Sequence, residues 1–283
     1  MRIPYIKMHG TGNIILVVDR RADNLPPPGA SQLRELGNEA TGPGFDQLMW
    51  VTAAKDETSV ASYRVFNSDG SEVEQCGNGV RCVSRYLASS DDVDNDFTLD
   101  SPAGPIAARV CDDGLVSVSM GTPVFEPDQI PFEAESVADS YQLTVGNEAI
   151  RIHAVSMGNP HAVLQVADVR DAPVCEIGPL VEHHERFPER TNVGFMQIRD
   201  RHNISLRVHE RGVGETAACG TGACAAVASG QVLGLLDEEV SVELPGGQVV
   251  VSWRGDRSPV WLKGNAEWVN EGMMDLKEKA SQE

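Results

Sequence analysis

Two cysteine-containing segments of this chain have nearly the same sequence. They are Glu72-Val73-Glu74-Gln75-Cys76-Gly77-Asn78-Gly79 and Glu215-Thr216-Ala217-Ala218-Cys219-Gly220-Thr221-Gly222. Cys219 follows Cys76 by 143 residues in a chain of 283, so the repeat predicts two similar halves. Two thiols presented by such halves can reach opposite faces of one bound molecule, which suits a reaction that removes a proton from one face of a carbon and returns one to the other. The pattern therefore favours an amino-acid racemase or epimerase.

Each of these cysteines stands at the predicted start of a helix. The unpaired N–H groups of a helix N-terminus can lower the pKa of a cysteine, ordinarily about 8.5, into the physiological range. Gly77 and Gly79, like Gly220 and Gly222, let the backbone approach a ligand closely and direct N–H groups at an anion. We expect this anion to be a substrate carboxylate, because a site without a cofactor must stabilise the charge that develops when an α-proton leaves.

The repeat extends beyond the cysteines. Gly44-Phe45-Asp46-Gln47 is matched by Gly194-Phe195-Met196-Gln197, and Gly12-Asn13 is matched by Gly158-Asn159. These pairs follow the same order in both halves, and such an order indicates internal duplication.

Short apolar or alternating segments predict a strand-rich chain with few helices. Strands are predicted at 14–18, 48–51, 63–66, 106–110, 115–118, 152–155, 162–166, 194–198, 204–208, 240–244 and 249–253, and helices at 31–38 with Ser31 near its cap, 78–87 and 222–236. The last helix is apolar on all sides, which is typical of a buried helix.

The simplest fold with these elements is α+β, with two pseudo-symmetric domains, each a curved, mostly antiparallel sheet wrapped around a central helix. The pattern pauses around Gly121-Thr122-Pro123, and an acidic, proline-containing loop follows. We therefore predict a domain 1–121 that carries Cys76 and a domain 122–265 that carries Cys219, with the active site in the cleft between them.

The other cysteines and the lysines bear on cofactors. Four cysteines are expected to be small buried side chains: Cys82, Cys111, Cys175 and Cys224. A zinc site that joins Cys76 and Cys219 to Cys82 and Cys224 fits the usual ligand spacing poorly. Pyridoxal phosphate requires a Schiff-base lysine, and none of the five lysines stands in a suggestive loop. We expect neither a metal nor a cofactor.

The charge restricts the partners. With 42 acidic and 23 basic side chains the formal charge is −19, which opposes binding to nucleic acid or to anionic lipid. No apolar stretch approaches the roughly 18 residues of a membrane span. We expect a cytoplasmic protein that acts on a small molecule and binds neither nucleic acid nor a membrane.

Two polar segments accompany the cysteines. His161 stands in the turn Gly158-Asn159-Pro160-His161, where it either tunes a thiol or serves a structural role. Glu210-Arg211 interrupts a strand-like run before the second cysteine segment. Adjacent opposite charges suit a zwitterionic substrate, although a surface ion pair is the commoner explanation.

Together these segments resemble the diaminopimelate epimerase family. The motifs that carry the resemblance, which runs from Lys7 to about Gly264, are Asn67-Ser68-Asp69-Gly70-Ser71-Glu72, Cys76-Gly77-Asn78-Gly79-Val80-Arg81-Cys82, Gly158-Asn159-Pro160-His161, Thr191-Asn192-Val193-Gly194-Phe195, Glu210-Arg211-Gly212-Val213-Gly214-Glu215 and Cys219-Gly220-Thr221-Gly222-Ala223-Cys224. The resemblance implies interconversion of LL- and meso-2,6-diaminopimelate without cofactor or metal, in lysine and peptidoglycan synthesis.

The resemblance also implies roles for individual residues. Cys76 and Cys219 are the acid and the base and exchange these roles with the direction of reaction, while His161 and Glu210 tune the thiols. The implied substrate contacts are Asn13, Gln47, Asn67, Gly77, Asn78, Asn159, Asn192, Glu210, Arg211, Gly220 and Thr221. The family usually has an aspartate and an aromatic residue where this chain has Ile14 and Ile15, which leaves the placement of Asn13 open. A homodimer and a return of the tail 266–283 to the first half are further family expectations.

Two other functions remain open from the sequence. One is a related two-cysteine racemase of proline or hydroxyproline, whose first motif usually has histidine where Asn78 stands. The other is a non-catalytic amino-acid-binding relative or a structural thiol domain, which keeps the fold without needing two reactive thiols.

Overall fold

The computed structural model describes residues 1–55, 57–73, 76–89, 93–146 and 148–276. Glu74 and Gln75 of the first cysteine segment lie outside the described residues, as does the last part of the predicted tail. The chain divides into two units, one of Met1–Val118 with the chain from Gly264 onward and one of Ser119–Lys263. The predicted boundaries at 121 and 265 lie within three residues of these limits.

Strands make up most of the regular structure. In chain order they are β1 Arg2–Gly10, β2 Asn13–Asp19, β3 Gln47–Thr52, β4 Ala61–Asn67, β5 Glu72–Val73, β6 Asp96–Ser101, β7 Gly104–Val110, β8 Val116–Ser119, β9 Tyr141–Val145, β10 Glu148–Ser156, β11 Pro160–Gln165, β12 Asn192–Asp200, β13 Asn203–Glu210, β14 Gly214–Thr216, β15 Glu239–Leu244, β16 Gly247–Ser252, β17 Trp261–Gly264 and β18 Glu267–Asp275. The helices are α1 Ala30–Gly37, α2 Gly77–Ala88, α3 Val174–Glu182 and α4 Gly220–Val232. None of the helices in the described ranges is long and apolar enough to cross a membrane.

The two units have the same strand topology. In the first unit the strands pair in the order β18-β1-β2-β3-β4-β6-β7-β8, with β5 also paired to β4, and only β2–β3 and β4–β6 are parallel. In the second unit the order is β9-β10-β11-β12-β13-β15-β16-β17, with β14 also paired to β13, and only β11–β12 and β13–β15 are parallel. Each strand therefore has a counterpart with the same neighbours and directions, and the predicted internal duplication is confirmed.

One helix is buried in the core of each unit. In the first, α2 packs against β1, β2, β3 and β7. In the second, α4 packs against β10, β11, β12, β13 and β16, and every residue from Gly222 to Gly230 is buried. The prediction of a buried helix, apolar on all sides, is confirmed. It ends at Val232 instead of Leu236, because Gly234 takes a left-handed conformation (φ 69°) that stops the helix.

The two outer helices, α1 and α3, differ from the sequence predictions. α1 begins at Ala30 after Gly29, and no side chain caps it, so Ser31 is not the cap. Leu33 and Leu36 pack it on an apolar layer that includes Trp50. α3 was not predicted, because it has only nine residues and contains Pro179.

All eleven predicted strands overlap observed ones, while seven observed strands were missed: β1, β5, β6, β9, β14, β17 and β18. β18 is exposed along most of its length, so its sequence lacks the alternation that marks a half-buried strand. It pairs with β1 through nearly its full length, and the Met1 carbonyl accepts from the Leu276 N–H at 2.7 Å. β18 thus adds a strand to the sheet of the first unit.

Candidate active site

Cys76 is the N-terminal cap of α2. Its backbone is extended (φ −147°, ψ 106°), and its Sγ accepts a hydrogen bond from the Gly79 N–H at 3.3 Å. A Cβ at Gly79 would lie 2.4 Å from Sδ of the buried Met49, so only glycine fits this first turn without displacement. The thiol is therefore held at the end of α2 where backbone N–H groups point outward.

Cys219 caps α4 in the same way. Its backbone is extended (φ −122°, ψ 109°), and its Sγ accepts from the Gly222 N–H at 3.4 Å. The Thr221 hydroxyl lies 3.5 Å from the same sulfur. A Cβ at Gly222 would lie 3.0 Å from Cγ2 of Val208 and 3.3 Å from the Cys219 Sγ. The duplicated sequence thus builds the same thiol cap once in each unit.

Each cysteine loop is preceded by a matching ion pair that the sequence analysis missed. Arg64 of β4 donates through Nε and Nη2 to the two carboxylate oxygens of Glu72, both at 2.6 Å. Arg207 of β13 does the same to Glu215, at 2.6 and 2.8 Å. The signal was present, since the two arginines are 143 residues apart, like the two glutamates and the two cysteines. Both pairs join the strands that lead into the cysteine loop.

The Cys219 thiol has a raised pKa. The residue is only 4% exposed, and burial raises the pKa of the thiol well above its usual value. The Glu210 carboxylate raises the pKa further, while Thr221 and the Gly222 N–H lower it without compensating. The expectation that the helix N-terminus brings this pKa into the physiological range is therefore wrong for Cys219. The group is a neutral thiol at neutral pH, which suits a proton donor.

Glu210 ends β13 on the side of the strand that faces α4. Side chains two residues apart point to the same face, and Val208 on that face packs against Gly222 of α4. Glu210 lies within hydrogen-bonding reach of the Cys219 thiol, and its Oε1 accepts from the Thr216 hydroxyl at 2.5 Å. The structure thus brings Glu210 to one of the thiols, as the resemblance implied, and adds Thr216 to the site.

His161 is neutral. Burial, reinforced by the positive charge of Arg211, lowers the pKa of His161 to about 3. Its Nε2 lies 3.0 Å from Oδ1 of Asn159, an oxygen that can only accept, so Nε2 carries the proton. The role in tuning a thiol that the resemblance implies for His161 stays a prediction. In this structure the hydrogen bond orients the Asn159 amide.

Asn192 joins two of the predicted contact segments in the second unit. It is buried at the start of β12, and its Nδ2 donates to the Pro160 carbonyl at 3.1 Å. Its Oδ1 accepts from the Arg211 N–H at 2.9 Å. The Arg211 side chain is exposed and donates to the Glu189 carbonyl at 2.9 Å. Asn192 thus fixes the turn that carries Arg211 relative to the turn that carries Asn159.

Gln47 and Asn67 lie side by side in the first unit. They are directly opposite each other on β3 and β4, and Nε2 of Gln47 donates to Oδ1 of Asn67 at 3.0 Å. Asn67 in turn donates to the Ser71 hydroxyl at 3.0 Å. Oε1 of Gln47 is buried and has no hydrogen-bond donor among the described residues. Such an oxygen is suited to accept from a substrate ammonium group.

A buried arginine links Asn78 to the turn before Asn13. Arg81 is fully buried, and its Nη2 donates to Oδ1 of Asn78 at 2.8 Å and to the Thr11 hydroxyl at 2.7 Å. Thr11 also donates through its N–H to Oδ1 of Asn265 at 3.1 Å. The first turn of α2 and the β1–β2 turn are thereby connected through a single side chain.

The two isoleucines that depart from the family pattern are accommodated by packing. Ile15 is fully buried, and Ile14 is half-buried against the apolar layer under α1. The Ile14 N–H donates to Oδ2 of Asp46 at 2.8 Å. Asn13 stands opposite Gly10 at the start of β2 and is half-buried. The substitution therefore leaves Asn13 in a regular strand position.

Only two of the four remaining cysteines are fully buried. Cys82 and Cys224 are buried as expected, but Cys111 is half-buried and Cys175 is exposed, so the expectation was wrong for Cys175. It lies in the first turn of the outer helix α3, and its thiol donates to Oε2 of Glu215 at 3.7 Å. Burial raises the pKa of Cys82 to about 12, so this thiol is protonated at neutral pH. Within the described ranges no three His, Cys, Asp or Glu side chains are grouped to hold a metal ion.

Comparison with known proteins gives a consistent match. The family model described as diaminopimelate epimerase matches residues 5–126 and 153–269. The diaminopimelate epimerase of Alkalilimnicola ehrlichii is 48% identical over 279 residues, 98% of this chain and 100% of that protein. The diaminopimelate epimerase of Thioalkalivibrio sulfidiphilus is 50% identical over 281 residues, again 98% of this chain and 100% of the relative.

The solved structures share the fold at low sequence identity. A hydroxyproline epimerase from Agrobacterium vitis, with trans-4-hydroxy-L-proline bound, superposes with a TM-score of 0.70 over 96% of this chain and 91% of that chain, at 18% identity. A Bacillus anthracis protein of the PhzF family superposes with a TM-score of 0.68 over 98% of this chain and 100% of its own, also at 18% identity. These structures support the predicted α+β fold with two related domains.

Proposed function

The chain belongs to the diaminopimelate epimerase family, and we propose that it interconverts LL- and meso-2,6-diaminopimelate by a two-base mechanism that uses no cofactor. The reaction serves lysine and peptidoglycan synthesis. The observation that supports the mechanism best is the pair of thiols, Cys76 and Cys219, which cap corresponding helices of the two duplicated units. Two groups of the same type, each able to lose and regain a proton, suit a reaction whose forward and reverse directions are mirror images at the reacting carbon.

In one direction Cys76 is the base and Cys219 is the acid. The Cys76 thiolate takes the α-proton, and the electron pair of the broken C–H bond spreads from the α-carbon into the substrate carboxylate. The Cys219 thiol then gives its proton to the opposite face of that carbon, which inverts it. The raised pKa of Cys219 supports this assignment, because the acid must hold its proton until the carbanion forms. The opposite direction exchanges the roles.

The N–H groups at the starts of α2 and α4 are suited to the charge that develops on the carboxylate. We place the residues of these two turns around it: Gly77, Asn78, Gly220 and Thr221. The amides and charged groups around the turns would hold the ammonium groups and the second carboxylate: Asn13, Gln47, Asn67, Asn159, Asn192, Glu210 and Arg211. Two observations support this division. Oε1 of Gln47 accepts no hydrogen bond from the described residues, and the guanidinium of Arg211 is exposed.

Incubation with meso-diaminopimelate in deuterated water under reducing conditions tests the function. We expect deuterium at an α-carbon, measured by mass spectrometry, together with the LL isomer, measured by chiral chromatography. Proline and trans-4-hydroxy-L-proline are the matched controls and should exchange no deuterium. Inversion of either control, without any change in diaminopimelate, would favour the alternative racemase, and no exchange in any of the three would favour a non-catalytic relative.

We further propose that the protein works in the cytoplasm as a homodimer. The free thiols of Cys111 and Cys175 fit a reducing compartment. Three large apolar side chains of β18 are exposed and are suited to an interface: Trp268, Val269 and Met273.

Light scattering after size exclusion should give twice the 30.5 kDa chain mass. Val269→Lys with Met273→Lys should give the monomer mass, whereas Val137→Lys, at an exposed site of the second unit, should not. A wild-type monomer would contradict the proposal.

A further inference from the structure

The last residue of α3 is a buried carboxylate with no part in the chemistry described so far. The Glu182 side chain is only 4% exposed. Its Oε2 lies 2.8 Å from Nε2 of His209 on β13, and its Oε1 accepts from the Gly212 N–H at 2.9 Å. Glu182 therefore binds both a strand residue and the turn that follows the strand.

The packing of α3 on His209 is close. Gly178 lies one helical turn before Glu182, and a Cβ there would be 2.6 Å from Cγ of the His209 ring. The backbone of α3 thus lies directly against the imidazole ring, and the His209 side chain is only 7% exposed. Burial acts to raise the pKa of Glu182, but the hydrogen bonds from His209 and Gly212 outweigh it, and the pKa is lowered. Glu182 is accordingly an ionised acceptor that holds both donors.

The two donors lie on either side of the residues that reach the site. His209 and Glu210 are adjacent on β13, so their side chains point to opposite faces of the strand. His209 faces α3, while Glu210 faces α4 and the Cys219 thiol. Gly212, with a left-handed φ of 75°, follows Arg211. Glu182 therefore holds the backbone on both sides of the Glu210-Arg211 pair, and Asn192 holds the Arg211 N–H.

We propose that Glu182 and His209 are a positioning pair that fixes the Glu210 carboxylate beside the Cys219 thiol and directs Arg211 towards the substrate. The effect of Arg211 rests on the proposed function, whereas the placement of Glu210 does not. Each carboxylate oxygen of Glu182 has one close donor, while the exposed Arg190 and His183 side chains approach Oε1 only to 3.8 and 3.9 Å. The two short hydrogen bonds together favour one backbone conformation, since the loss of either removes the close donor of a buried oxygen. The pair acts only through Glu210 and Arg211 and touches no reacting atom.

The test compares Glu182→Ala, Glu182→Gln and the matched control Glu176→Gln. Glu176 lies in the exposed first turn of the same helix, so it controls for a change of charge on α3. Two readouts are needed: kcat and KM for diaminopimelate, and the rate at which iodoacetamide alkylates Cys219 across a pH series, followed by peptide mass spectrometry. The second readout requires no enzymatic activity, so it decides the proposal even if the proposed function fails.

For Glu182→Ala we expect kcat to fall roughly ten- to hundredfold, because small displacements of catalytic groups have large effects on rate. The alkylation curve should move to lower pH, with Cys219 reacting about threefold faster at a fixed pH for a half-unit shift, because Glu210 no longer holds the thiol pKa up. Glu182→Gln still accepts the Gly212 N–H and should recover most of the kcat. Glu176→Gln should match the wild type in both readouts.

An alkylation curve in Glu182→Ala that coincides with the wild-type curve would overturn the proposal. Thermal unfolding of each variant identifies loss of fold. If Glu182→Ala does not fold, His209→Phe takes its place, because the phenyl ring fills the same space against Gly178 but cannot donate to Glu182. If kcat in that variant falls only as far as its folded fraction and its alkylation curve is unchanged, the pair serves stability alone and the proposal is wrong.

Discussion

Replacement of Cys76 or Cys219 by alanine is expected to reduce kcat for inversion of diaminopimelate at least about 10³-fold. Each thiol is proposed to transfer a proton in every turnover, and the loss of one acid or base usually costs 10²–10⁴-fold. The structure gives each sulfur the same position, as the cap of a helix whose third residue, Gly79 or Gly222, donates to it. In the proposed mechanism each thiol serves one face of the carbon, so neither thiol can replace the other. The measurement is the rate of appearance of the LL isomer.

The control variants for this prediction are Cys111→Ala and Cys175→Ala. Both residues carry thiols outside the caps, at a half-buried and an exposed position, and their replacement should leave kcat nearly unchanged. Thermal unfolding should show all four variants folded, since a sulfur cap is a weak acceptor and its loss costs little stability. A similar loss of activity in all four would mean that the cysteines act through the fold and not through proton transfer.

The sequence predicted most of the elements that carry the chemistry. α2 and α4 were predicted within a few residues. In each helix an apolar pattern follows a glycine-rich first turn, which marks where the helix begins. The strand-rich fold was predicted from short apolar or alternating segments. The duplication was predicted because the same motifs recur in both halves in the same order. Elements without such a pattern were missed: α3 contains Pro179, and β18 is exposed on most of its residues.

The electrostatics of the site could not be predicted from the sequence. Spacing indicates that a helix N-terminus lowers the pKa of a cysteine, but it does not show how deeply the sulfur is buried. Glu210 precedes Cys219 by nine residues, and only the folded β13 and α4 bring its charge to the thiol. The position of His161 in the sequence likewise does not show that burial keeps its ring neutral. Sequence motifs therefore indicated candidate groups, whereas the charge states of those groups follow from the fold.

Glu210→Gln is expected to lower kcat roughly 10²-fold and to move the alkaline limb of the pH profile of kcat/KM to lower pH. The substitution removes the nearest charge that raises the Cys219 pKa but keeps the size of the side chain and an oxygen that can accept from Thr216. A carboxylate beside a thiol destabilises the thiolate, so its removal lowers the thiol pKa. The active enzyme needs one thiol to remain protonated, and that form is then lost at a lower pH.

The rate falls for a related reason, because the Cys219 thiolate becomes a weaker base once no adjacent carboxylate opposes its charge. Glu243→Gln is the matched control, since it removes the same charge from an exposed residue of the second unit that pairs with Arg199. That variant should keep both the wild-type kcat and the wild-type alkaline limb. An alkaline limb that stays in place in Glu210→Gln, or moves to higher pH, would show that Glu210 does not set the Cys219 pKa. In that case the raised pKa would have to come from burial alone, and Cys219 would keep its role as acid without the carboxylate.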